Sequence, residues 1–196
     1  MGRKLVFLSL VMAMGCTKPK APNTAAPEDK LLFEWGQMLL AGDKSGTLKF
    51  YDLELRQKLE FWDKTMKPVS NPTTQAGLLQ TNLPRLGEAA AVMTTGDEAW
   101  AEVKDQPWVQ ELADGKCISG PPGKDDIGKG MIPKERKEMP QELGMWVFEL
   151  RTSVNWAPAF RVSCPKTGGF WVQLSQRKKD VATGDDSPLK VVRIGK

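Results

Sequence analysis

Phe160-Arg161-Val162-Ser163-Cys164-Pro165-Lys166-Thr167-Gly168-Gly169-Phe170-Trp171-Val172-Gln173-Leu174-Ser175 alternates apolar and polar side chains on both sides of a Pro-Lys-Thr-Gly-Gly interruption. Alternation with period two is the pattern of a strand that buries one face, and an interruption rich in Pro and Gly is a hairpin loop. Phe160, Val162 and Cys164 then share the inward face with Phe170, Val172 and Leu174. Arg161, Ser163, Trp171, Gln173 and Ser175 fall on the outward face. Upstream, Trp146, Phe148 and Leu150 alternate with Val147, Glu149 and Arg151, and downstream the turn-rich residues 183–188 lead to a fourth run at 189–194. Residues 143–196 therefore read as an antiparallel β region.

Residues 28–114 have the other period. Glu28 and Asp29 stand in the first turn of a helix, where its dipole favours acids. Leu31, Leu32, Trp35, Met38 and Leu39 share its apolar face, and Gly42 ends it. After Ser45-Gly46, Leu48, Tyr51, Leu55, Leu59, Trp62 and Met66 step by three and four residues, which predicts one long helix stopped by Pro68. Shorter helices are expected over 73–80, 84–94, 97–105 and 107–113, with Ala89-Ala90-Ala91 permitting close helix approach and Trp100, Val103, Trp108 and Leu112 completing the apolar face. The fold class is α+β, a helical N-terminal half packed on a small antiparallel C-terminal sheet. Between the halves, residues 115–142 are rich in Gly, Pro and charge and read as a long surface loop or a connection between lobes. Its Asp125-Asp126 pair lacks further ligands and reads as solvated turn residues, so no metal site is assigned. Residues 41–52 match one end of a WD-repeat blade, but a propeller needs several copies and the chain has one. Asp43, Ser45, Thr47 and Glu54 have EF-hand spacing, yet Leu48 stands where that loop requires glycine.

The first residues carry an address. Arg3 and Lys4 precede the apolar run 5–14, which is too short to span a bilayer but suits the hydrophobic region of a secretory signal, and Gly15-Cys16 closes it. This junction resembles the lipobox of bacterial lipoproteins, with Ala13 in the place of the family's usual leucine. The resemblance implies that residues 1–15 are a signal peptide and that Cys16 is lipidated. A lipid on Cys16 would bind the membrane. Thr17, rather than aspartate, after that cysteine implies an outer-membrane lipoprotein facing the periplasm of a Gram-negative cell. An uncleaved anchor and ordinary cleavage with an unmodified Cys16 are the alternatives. Residues 16–27 hold Lys, Pro, Ala and small polar residues, with nothing to bury, and read as a flexible tether.

Beyond Cys16 two cysteines remain, Cys117 and Cys164. In an oxidising compartment an even pair reads as a disulfide, closing a loop of nearly fifty residues worth on the order of 4 kcal/mol. The other reading, a nucleophilic thiol, lacks an activating base, because the chain has no histidine. That absence also removes Ser-His pairs and His metal ligands. No catalytic constellation and no cofactor motif is present. Residues 17–114 carry 11 basic and 15 acidic side chains, and residues 115–196 carry 15 and 9. The excess is too mild for nucleic acid, yet it makes the β region basic.

Trp171 with Arg161 and Gln173, extended by Arg177, Lys178 and Lys179, is the candidate binding face. An aromatic beside Arg and Gln can hold a sugar ring or a peptide by stacking and hydrogen bonding. Alternatively, Trp171 packs under an N-terminal helix. Trp156 is expected near it. The function expected is a non-enzymatic, membrane-tethered component of an envelope assembly that binds a protein or an anionic glycan. Two other classes stay open, a glycan hydrolase using paired carboxylates and an inhibitor of an exogenous hydrolase.

Overall fold

The computed structural model describes residues 26–121, 141, 143–146, 154–156, 160–177 and 188–195. Cys16, the tether up to residue 25, Lys178, Lys179 and most of the 115–142 stretch lie outside them. The fold is α+β, with the helices packed on an antiparallel sheet.

Helix α1 spans Pro27–Leu40, with proline in its first turn, Glu28 and Asp29 after it, and Gly42 at φ 68° beyond its end. Its buried face includes Leu31, Leu32, Trp35 and Leu39, as the spacing predicts. Gly36 lets α1 meet α6 (Val109–Ala113) backbone to backbone: a Cβ there would lie 2.8 Å from the Ala113 nitrogen.

The long helix expected through Tyr51 does not form. The chain makes α2 (Lys44–Leu48), an extended step, α3 (Leu53–Phe61) and a π-helical turn (Trp62–Met66). Asp43 accepts from the Gly46 N–H (2.8 Å) and caps α2, while Asp52, which divides the expected helix, accepts from the Leu55 N–H (3.1 Å) and caps α3. Between them, the Phe50 carbonyl accepts from Val191 N–H (2.7 Å) and the Asp52 N–H donates to the Val191 carbonyl (2.9 Å). Pairing with a strand distant in sequence satisfies these backbone groups better than continuing the helix would.

Helix α4 (Pro72–Asn82) starts at Asn71, whose side chain accepts from the Thr73 and Thr74 N–H groups. Pro84 sits in a 3-10 turn, and the two helices expected over 84–105 are one, α5 (Ala89–Val103). Gly96 does not break it, because Leu48 and Leu53 pack where its side chain would be, 3.2 and 3.3 Å from a Cβ position. Ala89 and Ala90 face solvent and Ala91 is partly buried.

Among the described residues the sheet has five strands, β1 (Ile118–Gly120), β2 (Val154–Trp156), β3 (Phe160–Cys164), β4 (Gly168–Arg177) and β5 (Lys190–Gly195). The β3–β4 hairpin has the expected register, with Cys164 opposite Gly168 and Phe160 opposite Val172. Gly168, at φ 87°, turns the chain between them. Trp171 pairs with both Arg161 and Gly195, and Ser175 with both Trp156 and Lys190. Hence β2 and β3 lie end to end along one edge of β4, and β5 lies along the other. Val192 is the extra residue of a bulge in β5, where Gln173 pairs with Arg193 but Leu174 pairs with Val191.

Two expectations at the start of the β half are corrected. Residues 118–120, read as part of a loop, form edge strand β1 against β3. Residues 143–146, read as the start of a strand at Trp146, are helical, since Leu143 and Trp146 are three apart and both buried in one cluster. Phe148 and Leu150 lie outside the described residues.

Helices α1, α5 and α6 cover one sheet face. Trp35, Trp108 and Phe170 form its centre, Trp108 stacking on Phe170 at 4.2 Å between ring centroids and Trp35 lying 5.7 Å from Trp108. A second cluster joins Leu55, Leu59, Trp62, Met66, Leu79, Leu143 and Trp146 to Val192. The bulge thereby sends Val191 into one core and Val192 into the other. Cys117 and Cys164 are disulfide-bonded, with Cα atoms 4.3 Å apart. Because Ile118 pairs with Ser163, the bond continues the β1–β3 ladder by one position.

Candidate functional site

The register sets four residues in one row across the sheet, Gly120, Arg161, Trp171 and Gly195. They share the face opposite Val162, Phe170 and Val172, which the helices cover. All four are partly exposed. The Trp171 indole lies across the Gly195 backbone, where a Cβ would come within 2.5 Å of its ring atoms. Gly120 leaves room at the other end, its nearest neighbour being the Arg161 carbonyl 3.8 Å from a Cβ position. Among the described residues no carboxylate pairs with the Arg161 guanidinium. The next row holds Ile118, 59% exposed, and the exposed Ser163.

The alternation places Arg161 across from Trp171 correctly, and Trp171 lies against β5 on the outward face. Gln173 does not belong with them. It is 2% exposed, and its carbonyl accepts from Arg193 Nε (3.1 Å). Arg193 also pairs with Asp63 of the π turn, so an ion pair from the helical half covers this position. Trp156 pairs with Ser175, four positions along β4 from Trp171. Arg177 ends β4 opposite Val154, while Lys178 and Lys179 lie outside the described residues. Gly195 and Gly120 carry no sequence signal of their own, because only strand register brings them beside Trp171 and Arg161.

Two charged groups elsewhere are structural. Arg56 is buried between Glu60 (Nε to Oε1, 2.7 Å) and Glu102 (Nη1 to Oε2, 2.9 Å), tying α3 to α5. Burial pushes the Tyr51 phenol far up, with Arg56 opposing and Glu102 adding, so Tyr51 stays protonated. Glu111 of α6 accepts from the Lys166 N–H (2.8 Å), the Thr167 N–H (2.9 Å) and the Thr167 hydroxyl (2.6 Å). The Thr167 hydroxyl foremost, and the two N–H groups, hold its carboxyl below the usual range. Among the described residues no group of three or more His, Cys, Asp or Glu side chains is placed to hold a metal ion.

A groove of about 510 Å³ opens between the start of α1 and the entry to β5. Leu31, Phe50 and Leu189 supply its apolar lining, and Glu34, Lys49 and Lys190 charges of both signs. Lys190 Nζ donates to the Lys49 carbonyl, so this ammonium serves the wall of the groove. No sequence signal points to it, since its lining comes from three distant segments. Among the described residues no helix is long and apolar enough to cross a membrane. No protein family, curated protein or solved structure matches the chain.

Proposed function

We infer that this chain is a non-enzymatic lipoprotein of the bacterial envelope, anchored through Cys16 at the periplasmic side of the outer membrane. It acts as a binding or accessory component of an envelope assembly, with the basic β half as contact surface toward an envelope protein or an anionic glycan. The observation that carries this reading is the Cys117–Cys164 bond, which suits a compartment that oxidises thiols. The signal-like residues 1–16 and the tether after them support it from the sequence. Stable anchoring takes more than one acyl chain, which a multiply acylated cysteine provides. Intact mass of the membrane-extracted protein, beside Cys16→Ser, tests the reading. Loss of residues 1–15 with an added multi-acyl group, absent from the variant, is expected; an unacylated chain with reduced thiols overturns it.

A further inference from the structure

We propose that Glu111 and the Cys117–Cys164 bond form one redox-linked latch, in which the carboxylate positions the two cysteines for pairing and sets how hard the bond is to reduce. The inference goes beyond the envelope reading and needs no lipid on Cys16, because every group in it belongs to the described fold.

Both ties join the same two pieces of structure. Glu111 lies six positions before Cys117, and Lys166 two after Cys164. The spacer on the helix side is stiff. Helix α6 ends in a pair of reverse bonds, the Lys116 N–H donating to the Glu111 carbonyl and the Gly115 N–H to the Leu112 carbonyl, each at 3.0 Å, with Gly115 at φ 68°. The spacer on the sheet side is stiff as well. Pro165 fixes a backbone angle between Cys164 and Lys166, and Cys164 is held opposite Gly168 across the hairpin. The carboxylate grips this turn at three points, the Lys166 N–H, the Thr167 N–H and the Thr167 hydroxyl. On the other flank of the bond, Ile118 pairs with Ser163. The two sulfurs therefore lie between a strand ladder and a carboxylate clasp.

Stiff spacers make the two ties interdependent. Along the chain Glu111 and Lys166 are 55 residues apart. Once the bond is closed, the path between them shrinks to the two short spacers, and the cost of closing a loop falls with its length. Coupling between two ties is reciprocal, so the clasp strengthens the bond to the degree that the bond strengthens the clasp. Both cysteines are buried in the core cluster that holds Trp35 and Phe170, so a reductant reaches sulfur only when the turn opens locally. Glu111 opposes that opening. What the latch governs is β1, the strand that follows Cys117.

A dithiol supplies the electrons for opening. Its thiolate attacks one sulfur, the S–S bond breaks, and the other sulfur leaves as a thiolate and takes up a proton. The second thiol of the reagent then displaces the first cysteine in the same way, so the reagent ends as a disulfide and the protein as two thiols.

The test equilibrates the full chain in detergent with mixtures of reduced and oxidised dithiothreitol, traps free thiols by alkylation, and reads Cys117 and Cys164 apart from Cys16 by peptide mass. Glu111→Gln should make the bond about tenfold easier to reduce, within the ordinary range for coupled sites and equal to about 30 mV for a two-electron couple. Thr167→Val removes one of the three donors and should shift the equilibrium the same way by about threefold. Asn71→Ala supplies the control. It removes the cap of α4, which accepts from the Thr73 and Thr74 N–H groups, in a helix that packs in the other core cluster. It should lower overall stability and leave the redox equilibrium where it is. A shift in Asn71→Ala equal to that in Glu111→Gln means that the bond answers only to global stability, and overturns the proposal. Unchanged reducibility in Glu111→Gln and Thr167→Val overturns it too, and if Glu111→Gln fails to fold, Thr167→Val decides alone. The reciprocal effect is read in the parent by hydrogen exchange. Reduction should speed exchange of the Lys166 and Thr167 amides ahead of the β4–β5 ladder, and equal exchange of these two amides in both redox states contradicts the coupling. An acylated chain whose bond ignores Glu111 keeps the address and removes the latch; an unacylated chain with the shift intact does the reverse.

Discussion

The carboxylate of Glu111 is seated in the β3–β4 hairpin, accepting the Thr167 hydroxyl at 2.6 Å and the backbone N–H groups of Lys166 and Thr167. One side chain of α6 thus satisfies the turn that presents Trp171. The contact also carries a pH dependence. Its folded carboxyl titrates below the usual range, chiefly through the Thr167 hydroxyl. A depressed folded value means that the stabilisation is complete above the unfolded glutamate range and is lost as pH falls through the folded one. Thermal unfolding of the protein and of Glu111→Gln across pH should therefore show a gap that is full at neutrality and closes in acid. A gap that stays constant into strong acid would show that the carboxylate form is not what the hairpin needs.

Gly195 and Trp171 should behave as one unit. Gly195→Ala places a methyl group 2.5 Å from the indole, and the ring, being half-exposed, can swing outward. The cost falls near the low end of overpacking, about 1 kcal/mol. In the Trp171→Ala background the same glycine change should cost almost nothing. A double-mutant cycle by urea unfolding reads the difference, and strictly additive effects would mean that the ring does not rest there.

How much of the fold is legible in the sequence depends on how far apart the partners lie. The hairpin is readable because alternation and a Pro-Lys-Thr-Gly-Gly turn fix register locally, which is enough to set Arg161 opposite Trp171. The start of α1 is readable for the same reason, its acids and its apolar face lying within a few turns. Tyr51 continues a helical period, yet its backbone bridges to Val191, a partner no local period can reveal. Gly96 resembles a breaker, but Leu48 and Leu53 fill the space its missing side chain leaves. Trp146 alternates with Phe148 as a strand residue would, while its spacing from Leu143 carries the helical signal. Gln173 alternates correctly with Trp171, but Arg193 and Asp63 arrive from other elements and bury it.

Reduction of the Cys117–Cys164 bond should lower stability by about 4 kcal/mol in the chain-entropy account, given the 47-residue separation. The loss is not spread evenly. Strand β1 has three residues and, among the described residues, a single partner strand, so hydrogen exchange should rise first at Ile118–Gly120 and along β3. Exchange in the β4–β5 ladder, which the bond does not touch, should follow only on global unfolding. Uniform acceleration throughout the sheet would contradict a local role for the bond.

Asp29 closes the other side of β1. Its carboxylate accepts the Ser119 N–H at 2.9 Å, and since Ser119 pairs with Val162 on β3, α1 covers the outer edge of the sheet. An open edge strand is a template for pairing with another chain. Asp29→Ala leaves the Ser119 N–H without its partner and should cost about 1–2 kcal/mol. Asp29→Asn, which keeps a carbonyl oxygen in reach, should recover part of it. Because the disulfide still holds β1 in place, the strand stays formed but uncovered. The alanine variant should therefore self-associate as concentration rises while the asparagine variant stays as dispersed as the parent. Sedimentation velocity across a concentration series separates these outcomes, and an alanine variant indistinguishable from the parent would show that α1 shields the edge by packing alone.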